Sequence, residues 1–517
     1  MTASDLKIER KNLLFQGSGT YFAVIFFFTF TISKFFNIAF NKIFTNVLPQ
    51  SDMGQYTLIL AATVTILTYV SLGFPSALSR YSINYKVKGK IDQLRNMVFS
   101  GFVLFLIAEI IIIIALVVLY FSFNFNPNFL NVEPYVSTLF LVGGIAIAQF
   151  FSTICYTIAS ALQNSRYYAI PIIMRVLLQI PFGVIFVIFL KKGVFGLVLG
   201  LMCSEVIVAI YSGYIIFKDL GLGKFSFSEI KSFLKYSSPG YANGIFVSSF
   251  NLFVLSYIEY SFTTTGKVIL ANYQYGAFSI VNLLMILGSI FRVVYPPVLY
   301  KNYEKERYTE MRSLTLNISK LLAVAVITLS FFIYGFSHYL IVFFSQSAYL
   351  AGIPLIPLLL VAAFFELMQP IMTYGHTLYY KTYWQAIGGI SSIAVSTVVA
   401  IFVLPRTGLI GIGIVYIIFK GLYFTFMFIV SQKYFKVDYN ILLLVRLILA
   451  TAISIGVGLI FYFFVINLEY RFTRLISFSI SGVIFLILVL AFRLFTKKDI
   501  QFLKSMVITF KEIRSAM

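Results

Sequence analysis

Apolar residues come in long blocks, broken by short polar segments, from one end of this chain to the other. The segment VFSGFVLFLIAEIIIIIALVVLYF (98–121) is one of them. At ~1.5 Å per helical residue it is long enough to cross ~30 Å of hydrocarbon. Blocks of this kind predict spans at about 18–47, 54–82, 96–122, 135–163, 169–190 and 194–217. A second set is expected at about 238–259, 268–298, 313–337, 351–378, 385–404 and 408–430, and a last pair at about 441–465 and 474–493. The expected fold is therefore all-α and integral to the membrane, with about 14 transmembrane helices. The second and eighth spans are long enough to tilt or to project beyond the hydrocarbon.

Polar residues inside these spans are not scattered. Thr31, Lys34, Asn37, Asn41 and Thr45 recur every three or four residues and make one stripe down the first span. Asn272, Tyr275, Ser279, Asn282, Ser289 and Arg292 do the same on the eighth, and Tyr416, Lys420 and Tyr423 on the twelfth. Arg175 lies one to two turns into the fifth span, and Arg80 near the cytoplasmic end of the second. A charge at mid-bilayer costs ~2.5–3.5 kcal/mol on insertion scales, so it faces a cavity or a partner. A polar stripe suits either a water-lined path or a seam of hydrogen bonds between helices. Glu109, Glu205 and Glu366 also lie well within spans, as salt-bridge partners, neutral acids or cation-coupling sites.

Composition agrees with the pattern. The 517 residues are 60% hydrophobic and 11% charged, with mean hydropathy +0.94, far from a soluble domain. The net charge of +21 would suggest nucleic acid on a soluble protein. Here the cations gather in alternate short loops, such as Lys86, Lys88, Lys90 and Arg95, or Lys301, Lys305, Arg307 and Arg312. The other loops hold few, among them Lys191, Lys192, Arg406, Arg471 and Arg474. That alternation places both termini in the cytoplasm and removes the reason to expect nucleic acid. The first apolar block lacks a small-residue cleavage site and reads as a retained helix. Cys155 and Cys203 sit in apolar segments and His338 and His376 lie far apart, so neither disulfide nor metal site is expected. The chain has no Walker A sequence, HExxH, GxSxG or paired CxxC, and no cofactor is expected. The loops are too short for a folded catalytic domain.

The chain also resembles itself at a spacing of about 215–221 residues. GTYFAVIF (19–26) corresponds to GYANGIF (240–246), and MGQYTLILAATVTILTYVSLGFPSALSRY (53–81) to LANYQYGAFSIVNLLMILGSIFRVVYPPVLY (270–300). KKGVFGLVLG (191–200) corresponds to RTGLIGIGI (406–414), with Gly193 and Gly196 opposite Gly408 and Gly411. An even number of helices per unit makes the repeats parallel. The expected domains are a six-helix lobe over 1–219, a second over 220–436, and two extra helices with a basic tail over 437–517. Two such lobes would face one another around a cleft opened to each side in turn.

LPQSDMGQYTLI…LGFPSALSRY (48–81), SFLKYSSPGYANGIF (232–246), NYQYGAFSIVNLL…YPPVLYKNYEKE (272–306) and the two glycine pairs carry a family likeness. The chain resembles the polysaccharide transporter and flippase branch of the multidrug, oligosaccharidyl-lipid and polysaccharide exporter superfamily over essentially its whole length. The resemblance implies two six-helix lobes, a V-shaped central cavity and alternating access. It implies an oligosaccharide on a polyprenyl (pyro)phosphate as substrate, moved across the cytoplasmic membrane, with membrane lipids and glycan polymerase or transferase machinery as partners. Related flippases place cations on the first, second and eighth helices, where this chain has Lys34, Arg80 and Arg292. On that basis Lys34, Asn37, Asn41, Arg80, Arg175, Asn282, Arg292 and Lys420 are the candidate substrate-binding residues. Glu109, Glu205 and Glu366 are the candidate coupling residues. A cation-coupled multidrug exporter of the same superfamily is the alternative, and a membrane glycan polymerase or ligase a more distant one.

Overall fold

The structure, a computed structural model, describes residues 19–123, 135–162, 165–286, 306–379, 381–439, 441–465 and 469–492, with 288, 295, 299, 303 and 494. Every regular element among them is helical. In chain order the first are α1 (Gly19–Val47), α2 (Gln50–Val70), α3 (Phe74–Val87), α4 (Ile91–Phe123), α5 (Tyr135–Leu162), α6 (Ser165–Gly183) and α7 (Gly193–Leu220). Next come α8 (Phe227–Ser261), α9 (Gly266–Ala271), α10 (Ser279–Val281), α11 (Tyr308–Gly335), α12 (Ser337–Phe344), α13 (Ile356–Met372) and α14 (Gly375–Leu378). The last are α15 (Tyr383–Thr407), α16 (Leu409–Tyr434), α17 (Ile441–Ile460) and α18 (Tyr470–Ala491).

Twelve helices among the described residues are long and apolar enough to cross a membrane. They fall at the expected spans two to seven and nine to fourteen. The chain is thus a multi-pass membrane protein. The expected first span is the 29-residue α1. The eighth begins as α9, passes through a wider π turn at Asn272–Phe278 and reaches α10, beyond which much of its length lies outside the described residues.

Local chemistry explains several boundaries. α8 starts where the Ser226 hydroxyl accepts from the Glu229 backbone N–H, satisfying a donor that the first turn leaves free. α7 and α16 each follow a glycine-marked turn, Gly193 at φ +55° and Gly408 at φ +54°. These are the two glycines that the internal repeat sets opposite one another.

The elements gather into two compact units, residues 1–271 with 385–408, and 272–384 with 409–517. In the first, α5, α6 and α7 pack together and α1 lies on α6. Its apolar centre holds Phe74, Phe102, Phe105, Phe150 and Phe233, with the Phe105 and Phe150 rings stacked. Lipid tails are as apolar as leucine, so close van der Waals packing holds such helices together rather than escape from water. α8 runs along α2 and α3 on a more polar contact. Thr65 Oγ1 donates to the Ser248 carbonyl at 3.2 Å, the Tyr69 and Ser249 hydroxyls share a 2.6 Å bond, and Ser237 Oγ donates to the Leu72 carbonyl at 3.1 Å. At its end the Tyr85 hydroxyl donates to Glu229 Oε2 at 2.5 Å. Burial first, and then that carboxylate, holds the Tyr85 phenol above its usual value, so it stays a donor.

In the second unit α13 packs on α16 and α11, while α17 and α18 pack on each other and α18 on α11. Val324, Phe331, Ala450, Phe478 and Phe485 form the apolar contact that fixes the last two helices.

Candidate functional site: polar groups within the spans

α1 divides its surface three ways. Phe26 stacks on Tyr168 of α6 at 4.6 Å, and Phe40 and Phe44 are buried, Phe40 lying 6.3 Å from the Tyr56 ring of α2. Phe28, Ile32 and Phe35 are exposed. Lys34, Asn37 and Asn41 are half-buried. The Lys34 ammonium stands 5.1 Å from the Phe30 ring, and no carboxylate among the described residues pairs with it. Asn37 donates to the Ser33 carbonyl at 2.9 Å and Thr45 to the Asn41 carbonyl at 2.7 Å. These bonds run within the helix and leave the Asn37 amide oxygen for another donor.

Deeper in the same unit, three helices meet at a polar centre. Arg175 of α6 reaches Glu205 of α7 at 3.0 Å, and Gln149 of α5 donates to the other Glu205 oxygen at 3.1 Å. The Arg175 guanidinium also lies 5.5 Å from the Tyr156 ring. Glu205 is 1% exposed and Arg175 27%, so in this ion contact between α6 and α7 the carboxylate is closed off and the cation is partly open. Arg80 of α3 lies 4.6 Å from the Tyr236 ring of α8. Glu109, on α4, is fully buried.

The second unit holds a matching centre. Lys420 of α16 meets Glu366 of α13 at 3.2 Å, and its ammonium is 5.2 Å from the Phe419 ring. Tyr416, one turn earlier on α16, stacks nearly parallel on Tyr273 at 6.2 Å. The pair is more open than its counterpart, with 21% and 31% of the two side chains exposed. Lys420 stands at the repeat spacing from Glu205, and Glu366 at the repeat spacing from Gln149. Each repeat therefore carries a polar pair at the same place, with the acid and its partner exchanged.

Asn282 is half-buried just past α10. Arg292 lies outside the described residues. The structure thus brings Arg175 to Glu205 and Lys420 to Glu366, and sets Lys34 and Arg80 on aromatic rings. One buried cation was not among the candidates. Arg474, expected in a loop, lies in α18 at 1% exposure, between the Tyr470 ring at 4.3 Å and the Tyr334 ring at 5.7 Å. The i, i+4 spacing of Tyr470 and Arg474 is the signal that would have found it.

Residues 23–302, more than half of the chain, match the family of polysaccharide biosynthesis proteins. An uncharacterised membrane protein of Methanocaldococcus jannaschii is 23% identical over 276 residues, which are 49% of this chain and 52% of that protein. The chain thus spans about half the length of that curated relative. Among solved structures, the lipid II flippase MurJ in an inward closed conformation aligns at TM-score 0.62 and 15% identity, covering 91% of this chain and 98% of that one. An inward-facing MATE-family multidrug resistance transporter aligns at TM-score 0.59 and 16% identity, covering 84% and 98%. Its outward-facing counterpart aligns at 0.58 and 16%, covering 81% and 97%. Likeness at these identities speaks for the fold, and the family match is independent of it. The chain belongs to the polysaccharide biosynthesis protein family and has the helical fold of the multidrug/oligosaccharidyl-lipid/polysaccharide exporter superfamily.

Proposed function

We propose that this protein is a flippase that carries a polyprenyl-(pyro)phosphate-linked oligosaccharide across the cytoplasmic membrane by alternating access, supplying cell-surface polysaccharide or glycoprotein assembly. The observation that carries the reading is Lys34: a half-buried ammonium in the middle of α1, on a polar stripe, with no carboxylate partner among the described residues. Such a cation has an unmet demand for an anion, and a phosphate oxygen is a strong acceptor for it. Family membership and a fold shared with the lipid II flippase over nearly the whole chain support that ligand class.

In this reading Lys34 and Arg292 hold the phosphate, Arg80 adds to the positive field, and Asn37, Asn41 and Asn282 take hydroxyls of the sugars. Arg175 and Lys420 are neutralised by Glu205 and Glu366, so their share requires an exchange of carboxylate for phosphate. The polyprenyl tail stays in lipid, and no bond of the substrate is made or broken. The test is flipping in liposomes of undecaprenyl pyrophosphate bearing a labelled disaccharide. Losing one charge-assisted hydrogen bond of ~1.5–3 kcal/mol slows Lys34→Ala by roughly 10- to 150-fold, with Lys34→Arg between it and wild type. Wild-type rates in folded Lys34→Ala would remove Lys34 from the site. Export of organic cations in place of lipid flipping would favour the multidrug reading, which the MATE-like fold keeps in view.

A further inference from the structure

Three carboxyl groups lie well inside the spans, and two of them face cations: Glu205 meets Arg175 and Glu366 meets Lys420. Glu109 has no such partner among the described residues. It is wholly buried, and neither carboxyl oxygen has a hydrogen-bond partner among the described residues. α4 exposes Ile107, Ile110, Ile111 and Ile114 on one side. Glu109 lies off that row, toward Gly143 of α5. A Cβ on Gly143 would stand 3.3 Å from the Glu109 Oε1 and 2.8 Å from the Ile113 Cδ1, so the glycine lets α4 come close.

Charged and titratable groups on the neighbouring helices lie against other residues. On α5, Tyr156 lies against Arg175. On α3, Arg80 covers Tyr236 and Tyr85 donates to Glu229 of α8. Toward the other end of α8, Glu259 pairs with Lys267. On α2, Asp52 sits in the first turn beside Ser51, and Tyr56 is buried beside Phe40. An ionised carboxylate with neither counter-ion nor donor is untenable in such a seam, and the group takes a proton instead. Structural acids in native interiors are nearly always hydrogen-bonded, so packing alone gives no reason for this one.

We propose that Glu109 is the proton-binding site through which the transport cycle draws on the transmembrane proton gradient. It is a neutral acid in the closed seam between α4 and α5, and it gives its proton to water when those helices part. Glu205 and Glu366 are then internal counter-ions. The coupling role rests on the transport reading above, while the bound proton does not, and the two are tested apart.

Infrared spectra of wild type minus Glu109→Gln at pH 7 are expected to show the carbonyl stretch of a protonated carboxylic acid. Its absence overturns the proposal without any reference to transport. In liposomes holding undecaprenyl pyrophosphate with a fluorescent disaccharide, an imposed pH gradient accelerates wild-type flipping. Glu109→Gln and Glu109→Met keep the gradient-free rate and lose the response. A variant that still responds like wild type, or a wild type that flips but ignores the gradient, overturns the coupling. A wild type that flips nothing yet shows the infrared band removes the flippase reading and leaves the proton site. With no partner among the described residues to lose, Glu109→Met is expected to melt at or above the wild-type temperature; a marked fall in melting temperature would mean that Glu109 is structural after all.

Discussion

A cation inside a span needs an anion, a ring or water, and the cations of this chain meet that need in different ways. Arg474 is held by two tyrosine rings, Arg175 by a buried carboxylate, and Lys420 by a carboxylate that is partly open. Removing Glu205 leaves the mostly buried Arg175 guanidinium unmatched. Glu205→Gln is therefore expected to lose ~3–5 kcal/mol, seen as a clear fall in the melting temperature of the detergent-solubilised protein. Arg175→Met combined with Glu205→Met recovers most of that loss. Glu366→Gln falls less, because the Glu366 carboxylate is 31% exposed against 1% for Glu205 and its attraction to the cation is screened. The positions of Lys34, Arg175, Glu205 and Lys420 were legible in the sequence because a charge stands out in an apolar run. Their partners were not: Glu205 and Lys420 find theirs on other helices, dozens of residues away, and helix packing alone sets those distances.

At the scale of elements, the helices follow from block length and their ends from local signals. Gly193 and Gly408 show this most directly, since similarity between two short segments paired them and both adopt nearly the same positive φ. An L side chain there costs ~1–2 kcal/mol. Gly193→Ala and Gly408→Ala are each expected to lose about that much in thermal stability. Gly456→Ala serves as the control: this glycine lies inside α17, and a methyl group on it would meet nothing within 4 Å. That substitution is expected to gain about 0.5–1 kcal/mol. The π turns at Val184–Phe189 and Asn272–Phe278 had no sequence signal that would separate them from ordinary helix. A π turn widens the backbone by one residue per turn without changing the apolar pattern.

At the scale of the molecule, the packing units and the sequence repeats cut the chain differently. α8 and α9 open the second repeat and α15 lies within it, yet all three pack with the first unit. The polar contacts of α8 with α2 and α3 are one reason, because each pairs groups that would otherwise face an apolar neighbour. The alternating access proposed above requires this seam to part once per cycle. In a background with Cys155 and Cys203 replaced by Ala, cysteines at Thr65 and Ser248 are expected to cross-link under oxidation, stop flipping and release it on reduction. Flipping that continues through a complete cross-link would show that α8 moves with the first repeat.

The sequence by itself determined that the chain is helical and membrane-spanning, and which spans carry polar groups. Hydrocarbon imposes those features locally: length, apolarity and three-to-four spacing act within one segment. Only the tertiary structure decided which charges neutralise one another, that Arg474 is buried, and that Glu109 has no partner among the described residues. Those outcomes depend on which helix faces meet, a choice governed by packing among segments far apart in the chain, where no residue pattern within a single span can specify the answer.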